Sequence, residues 1–552
     1  MDKFTVARML DEISRYLELS DANPFKARAF EKAARAIESQ EADVLELVET
    51  GRLLDVPGVG KGTGETISEI VRTGASAYLD ELRSHYPPGI FDLLRVPRLG
   101  LKKIGMLHAE LGIASIDELE EAARDGRLAK LKGFGSKTSE QLLQGIAFAR
   151  MRESQFLLPV GIEIGELLRE RLSELEGVES VEVTGSVRRR LEVIRNVNLV
   201  VATKASANLA GRLGSLLADL EEIEPGTWRG IARGEVPVLV HLTTAKEFGS
   251  TVFRTTGSSE FVAAFEEKSG PIPASRSEQE IFRAADIPPI VPERRENGDD
   301  LARKKRTRLV EPSDLRGVFH VHTTWSDGRN SVFEMLSAAQ ERNWEYVGIS
   351  DHSKNAHYAG GLTEEQLKQQ QAEIRREAKK VAPMRVFRGT EADILADGSI
   401  DYGAGVLSSF DFVVASVHSH FKMDRDEMTE RILTAIDDRH VTFIGHLTGR
   451  LLLSREGYSV DYDRIFEKAA ARGVMIEING NPRRLDVDWR YLRRAADRGV
   501  TFSIHPDAHS TREYDASITG TWVARKGGLG KKQIFNTRTV EEVEEWFASR
   551  SA

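Results

Sequence analysis

Cysteine is absent from all 552 residues, which excludes disulfides, thiolate zinc sites and a cysteine nucleophile, so any metal must be held by histidine and carboxylate. Also missing is any run near the roughly 18 apolar residues that a membrane span needs. The opening MDKFTVARMLDEISRYLEL carries charges every few residues where a signal peptide would carry an apolar block. A soluble, cytoplasmic chain with no membrane partner is expected. Nor is there an excess of positive charge: the formal net charge is -9. That argues only weakly against nucleic acid, because affinity for phosphate follows local basic patches and not the total. With 40% apolar residues the chain is too long for one core and should divide into roughly three to five units.

From Met1 to about Arg150, apolar residues recur at helical spacing between short glycine turns. Three of those turns are alike: Val56-Pro57-Gly58-Val59-Gly60-Lys61-Gly62, Val96-Pro97-Arg98-Leu99-Gly100-Leu101-Lys102-Lys103 and Leu131-Lys132-Gly133-Phe134-Gly135-Ser136-Lys137. This is an internal repeat. Glycine lets backbone approach a phosphate, the next helix aims free N–H groups at it, and lysine adds attraction. Gly58, Gly60, Lys61, Gly100, Lys102, Lys103, Gly133, Gly135 and Lys137 are therefore candidate phosphate contacts, which the resemblance given below assigns to DNA. Near Val181 the pattern turns to strands, VEVTGS, NVNLVVAT and then VPVLVHLTT, which predicts an α/β or α+β unit. From Ile287 to Leu309 a proline-rich and then charged stretch reads as an exposed linker with a basic run, with a boundary near Leu315.

Beyond it, VFHVH, YVGIS, RVFRG, DFVVAS, VTFIG, VMIEI and VTFSI alternate with helical segments. Seven such strands predict a closed or nearly closed parallel barrel whose ligands gather at the strands' carboxyl ends. Nine ligand-type residues stand there: His320, His322, Asp327, His352, Glu391, His418, His446, Asp507 and His509. His320 and His322 are two apart, so a strand would point both rings to one face, and Asp507 with His509 repeats the spacing. A lone buried histidine is more often a satisfied core residue than a ligand, and Ser326-Asp327-Gly328 reads equally as a turn. That this should hold at six strand ends together is improbable. At four to six ligands per ion, nine suit two or three divalent ions, with Glu391 the expected bridge. Arg450 and Arg483, just past strand ends, are candidates to fork onto a substrate phosphate.

The segments His320-Val321-His322-Thr323-Thr324-Trp325-Ser326-Asp327-Gly328, Ser350-Asp351-His352-Ser353, Gly389-Thr390-Glu391-Ala392-Asp393, Val417-His418-Ser419-His420, Gly445-His446 and Asp507-Ala508-His509 resemble the motifs of the PHP (polymerase and histidinol phosphatase) phosphoesterases. Every ligand position is filled; Val318 stands where relatives often carry Asp. The resemblance implies one ion on His320, His322, Glu391 and Asp507, a second on Glu391, His418 and His446, and a third on Asp327, His352 and His509. It implies Mn²⁺ or Zn²⁺, with His320, His322, Glu391, His418 and Asp507 as catalytic residues. Clustered divalent ions activate water and stabilise the charge that grows on phosphorus and the leaving oxygen.

The repeated turns resemble helix-hairpin-helix motifs, and residues 1 to about 290 resemble the family X DNA polymerases, bacterial members of which carry a PHP module behind the polymerase. The stretch from Gly185 to Asn198 has the spacing of the Gly-Ser nucleotidyltransferase motif, and Thr256-Gly257-Ser258 matches a second element. By resemblance Gly185, Ser186 and Arg189 would hold the incoming triphosphate. Asn196, Asn198 and His241 stand where the family has the Asp ligands of Mg²⁺ or Mn²⁺, Arg254-Thr255 where aromatic residues are usual, Val262 where an Asn contacts the base, and Thr66 where a lyase Lys would form an imine. Asn offers a neutral oxygen only, and three lost carboxylates at a few kcal/mol each lower the rate by many orders of magnitude. The expected architecture is multidomain α+β and α/β: a helical hairpin domain over 1–85, a fingers-like one over 86–150, a nucleotidyltransferase palm over 151–250, a thumb over 251–290, a linker over 291–315 and a (β/α)7-type PHP barrel over 316–552. The expected function is DNA repair by a monomer that binds gapped, nicked or 3′-recessed DNA and hydrolyses phosphodiesters as a 3′–5′ exonuclease, with abasic-site incision or 3′-phosphatase action as variants and polymerisation weak or absent. Rival expectations are a polymerase using Glu192 or Glu235 for its metals, a non-catalytic DNA scaffold, and a small-molecule phosphatase.

Overall fold

A computed structural model of the chain describes residues 3–20, 23–38, 44–97, 99–131, 133–135, 138–143, 145–146, 155–204, 211–303 and 307–551. Two compact units divide it, Met1–Glu153 and Ser154–Ala552.

The first unit is helical, with helices at Lys3–Leu19, Pro24–Glu38, Val44–Glu49, Lys61–Thr73, Ala77–Ser84, Leu101–Leu111 and Ile116–Arg124. Their ends follow the sequence: Ser76 and Ser115 accept from backbone N–H groups of the first turn, and Gly74 and Gly112 close helices in the left-handed conformation. One apolar core runs from Val6 to Ile146, across the expected 85/86 boundary. Gly105 is dictated by packing, since a Cβ there would stand 2.0 Å from the Leu19 carbonyl oxygen.

The second unit opens with β1 (Phe156–Leu157), β2 (Val178–Thr184), β3 (Val193–Ile194), β4 (Val197–Thr203), β5 (Ala218–Glu224), β6 (Thr227–Ala232) and β7 (Val236–Thr243). Five of these form a mixed sheet in the order β2-β4-β7-β6-β5, in which only β4 and β7 are parallel. Helix Leu158–Ser173 lies along β2 and β4, and helix Phe248–Thr256 also packs on them and leads into an aromatic cluster of Phe253, Phe261, Phe265 and Phe282.

The barrel follows: β8 (Gly317–Val318), β9 (Tyr346–Ile349), β10 (Arg385–Asp393), β11 (Phe412–Ser416), β12 (Phe443–Ile444), β13 (Met475–Asn479) and β14 (Phe502–His505), all parallel and in sequential order. Between β8 and β14 the seam is nearly shut. His322 N–H donates to the Ala508 carbonyl at 2.8 Å, and at the other end the Asn536 amide bridges the Gly317 and Ile504 carbonyls at 2.9 and 2.8 Å. Phe319, Phe387, Phe412 and Phe443 fill the barrel floor, closed by Phe535 and by Phe547 of the final helix Val540–Ser551. Gly348 and Gly389 make room for them: a Cβ on either would lie within 2.5 Å of a phenyl ring.

Two expectations need correction. The stretch 291–315 is not an exposed linker throughout: Val291, Leu301, Val310 and Leu315 are at most partly exposed, Glu293, Arg295 and Asp300 are buried, and Arg294 grips both Asp300 oxygens, whereas Ala302, Arg303, Thr307 and Arg308 are exposed as expected and 304–306 lie outside the described residues. Three of its acids are taken by helix Ala516–Lys526: Arg525 binds Glu293 and Glu311, and Lys526 meets Glu296 at 2.5 Å. Nor do regular strands carry the paired ligands. β8 ends at Val318 and β14 at His505, and both His320 (φ 62°) and Asp507 (φ 53°) adopt the left-handed conformation. Non-glycine residues held there are strained, which is tolerated where packing fixes them.

Candidate metal centre

At the carboxyl ends of the barrel strands, Glu391 from β10 is the hub. His320 Nε2, His418 Nε2 and His446 Nε2 lie 3.2, 3.2 and 3.0 Å from its Oε1, and His352 Nδ1 and His322 Nε2 lie 2.9 and 3.6 Å from its Oε2. Asp507 faces both His320 and His322 at 3.4 Å. Asp327 is approached by His509 at 3.3 Å, His352 at 3.6 Å and His322 at 3.9 Å. All nine residues thus converge. Three sets have ligand atoms mutually within 4.8 Å: His322, Asp327, His352 and His509; His320, His322 and Glu391; His352, Glu391 and His418.

The donor chemistry fits metal. His320 Nε2, His352 Nδ1, His446 Nδ1 and both ring nitrogens of His322 are buried without a hydrogen bond, a state that costs free energy unless another partner is supplied. Burial, with His509 and His352 adding to it, pushes His322 down to about 3, and burial with Arg484 takes His446 to about 4, so both are neutral ligand-ready imidazoles. Burial would lower His418 and His509 too, but Glu391 and Asp393 lift the first to about 9, and the hydrogen bond to Asp327, with Asp507, lifts the second to about 9. Burial alone would raise Asp327; its bond to His509 and the neighbouring histidines take it to about 2. Glu391 and Asp507 are likewise held well below the carboxylate range, against burial, by the histidines around them, His320 foremost.

Several participants escaped the sequence reading. Glu477 on β13 receives His320 Nδ1 at 3.1 Å and the His446 N–H at 3.0 Å. Asp393 holds His418 Nδ1 at 2.7 Å, and Asn479 Nδ2 reaches Asp507 at 3.0 Å. Such partners fix ring orientation and tautomer, leaving the other nitrogen for an ion. The available signal was a strand with polar residues at alternate positions, Glu477 and Asn479, on a fully buried element. His320, Glu477 and His505 form a further ligand-spaced trio deeper in the barrel.

The arginine assignments change. Arg450 is spent on Asp488 at 2.8 Å and on the Arg484 and Leu485 carbonyls, and Arg483 is exposed with its backbone tied to Asn481. The neighbour Arg484 faces the centre instead: its Nε lies 3.3 Å from Asp507 and its buried Nη1 has no partner.

In the nucleotidyltransferase-like sheet, Asn198 Nδ2 donates to Asn196 Oδ1 at 2.9 Å, and His241, whose pKa burial lowers, contacts Thr227 Oγ1 at 3.3 Å. Gly185 (φ 66°) opens the turn against Asn198, where a Cβ would sit 2.4 Å from its amide nitrogen. Arg189 donates to Glu296 at 3.0 Å and to the Thr256 carbonyl at 2.8 Å, and Arg188 to Glu278 at 2.9 Å. Among the described residues, no group of three His, Asp or Glu side chains with ligand spacing lies in 155–290. Of the substitute carboxylates, Glu192 is taken by Arg490 at 2.7 Å and the Trp489 indole at 3.2 Å. Glu235 precedes β7, about 20 Å along the strand from His241 at roughly 3.3 Å per residue.

The hairpin turns recur in the first unit. Gly60 and Gly100 precede helices Lys61–Thr73 and Leu101–Leu111, Gly58 (φ 104°) and Gly133 (φ 92°) supply positive φ, and the Gly135 carbonyl accepts from Thr138 N–H at 2.8 Å. Lys61, Lys102 and Lys103 are exposed, whereas Arg98 and Lys137 lie outside the described residues. Lys26, 4.1 Å from the Tyr78 ring centre, lines a cavity of about 360 Å³ with Gly60, Gly62 and Thr66.

A DNA polymerase/3′-5′ exonuclease PolX of Bacillus subtilis (strain 168) is 33% identical over 99% of both chains. The chain belongs to the PolX family. Family descriptions match in the same order: a Helix-hairpin-helix domain over 1–76, a SAM-like Helix-hairpin-helix tandem over 90–147 and a PHP domain over 319–481. Probable phosphatases match a smaller share of the chain. One from Thermoanaerobacter sp. (strain X514) is 22% identical over 42% of this chain and 94% of its own length, and one from Photobacterium profundum is 30% identical over 29% of this chain and 63% of its own. No helix among the described residues is long and apolar enough to cross a membrane.

Proposed function

We propose that this chain is a DNA-repair 3′–5′ exonuclease of the PolX family that works at the barrel centre and polymerises weakly or not at all. The observation that carries the reading is the convergence of five histidine rings, His320, His322, His352, His418 and His446, on the buried Glu391 carboxylate. When bound, two or three divalent ions, Mn²⁺ or Zn²⁺, would supply water activation and neutralisation of phosphate charge. The chain's own groups do the rest. His320, His322, Glu391 and Asp507 would hold one ion, Glu391, His418 and His446 a second, and Asp327, His352 and His509 a third. Glu477 and Asp393 keep His320 and His418 in the orientation this requires. Arg484, with one guanidinium nitrogen uncommitted, would take a non-bridging oxygen of the scissile phosphate. Water oxygen adds to phosphorus, the bond to the preceding nucleotide's 3′ oxygen breaks, and that oxygen takes a proton. The products are a nucleoside 5′-monophosphate and a strand with a new 3′-hydroxyl.

The hairpin turns would hold the DNA backbone through Gly58, Gly60, Lys61, Gly100, Lys102, Lys103, Gly133, Gly135 and Lys137 without reading sequence. Loss of polymerisation is supported by the amide pair at Asn196 and Asn198, and by Arg189 being engaged with Glu296. The test is a nuclease panel on gapped, recessed, abasic and 3′-phosphorylated duplexes with the metal varied, run beside a gap-filling assay. Metal-dependent loss of 3′ nucleotides, abolished by His418→Ala, is expected. Cleavage unchanged in that variant, or robust template-directed extension, would overturn the reading. The phosphatase relatives favour one secondary activity, removal of a 3′-phosphate, which the same panel reads.

A further inference from the structure

The centre has a feature that phosphate chemistry alone does not use. Tyr358 is 71% exposed, the most exposed large apolar side chain of the barrel among the described residues. Its ring centre lies 6.1 Å from those of both His352 and His418. Leaving an aromatic ring in water forgoes the gain from burying it, yet the backbone beneath is held firmly. Ser353 Oγ and Asn355 N–H donate to Asp401 at 2.7 and 3.0 Å, and Leu362 N–H donates to the His352 carbonyl at 2.9 Å. Gly361 lets the loop close, since a Cβ there would stand 1.9 Å from the Ser353 carbonyl oxygen. The ring is thus displayed on a fixed turn at the rim of the metal centre, within electrostatic reach of Arg484 and Arg455.

We propose that Tyr358 is the stacking platform for the base of the 3′-terminal nucleotide, an inference that rests on the exonuclease reading and names how the site holds its substrate. A phosphate held at the centre on the Tyr358 side of His352 and His418 would leave its nucleoside one sugar away, beside the ring. Stacking accepts any base, because every base has a π-face, and it rewards a terminal nucleotide already freed from its pair. It therefore suits an enzyme that must remove 3′ nucleotides irrespective of sequence. Charge from Arg484 and an aromatic surface from Tyr358 together make the combination that holds single-stranded ends.

The experiment compares full-length wild type, Tyr358→Ala and Tyr358→Phe on duplexes ending either in a 3′ deoxyadenosine or in a baseless 3′ tetrahydrofuran nucleotide. Loss of one stacked base is expected to lower kcat/KM roughly 10- to 100-fold on the deoxyadenosine end, mainly through KM. Tyr358→Phe should match wild type, and Tyr358→Ala should equal wild type on the baseless end. Equal loss on both ends, or none on the deoxyadenosine end, overturns the assignment. A second arm places 2-aminopurine at the 3′ terminus, with Ca²⁺ at a concentration where no cleavage occurs. Fluorescence should be quenched by wild type and Tyr358→Phe and restored in Tyr358→Ala. If wild type cleaves neither duplex, the exonuclease reading fails, and the fluorescence arm still decides whether the ring stacks on a terminal base.

Discussion

Replacing Asp393 by Asn tests whether the partner behind a histidine governs the centre. Asp393 Oδ1 holds His418 Nδ1 at 2.7 Å, and Asp393 Oδ2 accepts from Asn355 Nδ2 at 3.0 Å. An Asn can satisfy only one of these. In one rotamer its amide N–H₂ faces the Asn355 N–H₂, and in the other it faces His418 Nδ1–H. Either way a buried donor meets a donor, which costs about 1 to 3 kcal/mol, on top of the lost charge that holds the imidazole. At about 1.4 kcal/mol per tenfold this is roughly a 5- to 150-fold effect, in line with the 10- to 100-fold typical of such partners. Backbone bonds at Asp393, from its N–H to Ser353 Oγ and from Asp401 N–H to its carbonyl, do not depend on the carboxylate, so the fold should survive. Metal titration by calorimetry and 3′–5′ cleavage should both fall, with circular dichroism unchanged. Wild-type affinity and rate in Asp393→Asn would refute the claim that His418 is oriented for an ion.

Arg484→Ala should raise KM for DNA by about 10-fold or more, as expected for loss of a charged phosphate contact, whereas Arg483→Ala should change cleavage little; steady-state kinetics of the two variants that came out reversed would restore the sequence-based choice. In the metal-free chain His418 and His509 titrate near 9, above the ordinary 6.5; their contribution to stability is complete below about pH 6.5 and lost as pH rises through 9. Metal must displace those protons, so apparent affinity should climb by up to about tenfold per pH unit per proton released between pH 7 and 9; calorimetry in buffers of different ionisation enthalpy counts the protons, and a flat profile would contradict the assignment. Asn196→Asp with Asn198→Asp sets two carboxylates where a side-chain amide hydrogen bond of 2.9 Å now stands, which should lower the metal-free melting temperature; adding His241→Asp should still not restore gap filling, because Arg189 stays bound to Glu296.

Much of the barrel was legible because buried parallel strands read as short Val, Ile and Phe runs, and His or acid at the end of such a run has little reason to be there except as a ligand. That logic found the nine residues without needing regular geometry, which His320 and Asp507 in fact lack. It missed Glu477, since Met-Ile-Glu-Ile alternates as a half-exposed strand would, and only burial on both faces makes the carboxylate exceptional. Arg483 and Arg484 are adjacent and chemically identical, and the choice between them is made by the backbone after Asn481, which no local pattern encodes. The stretch 291–315 misled for a different reason. A solvated charge run and a buried ion-pair network have the same composition, and the partners Arg525 and Lys526 come more than 200 residues later.

Those late partners also bear on what the turn from Gly185 to Asn198 does for the fold. Arginines left facing an unused pocket would be desolvated cations without anions, a costly state. Here Arg189 meets Glu296, which is shared with Lys526, whose Nζ also donates to the Arg189 carbonyl at 3.0 Å. Arg190 stacks on Trp522 at 4.1 Å, and Glu192 pairs with Arg490 and Trp489. Arg189, Arg190 and Glu192 are thus matched by groups on, or held by, the barrel helices Trp489–Ala496 and Ala516–Lys526, while Arg188 is matched within the sheet unit by Glu182 and Glu278. The turn therefore serves packing: placing carboxylates at Asn196, Asn198 and His241 would leave its cations committed, and freeing them would loosen the sheet from the barrel.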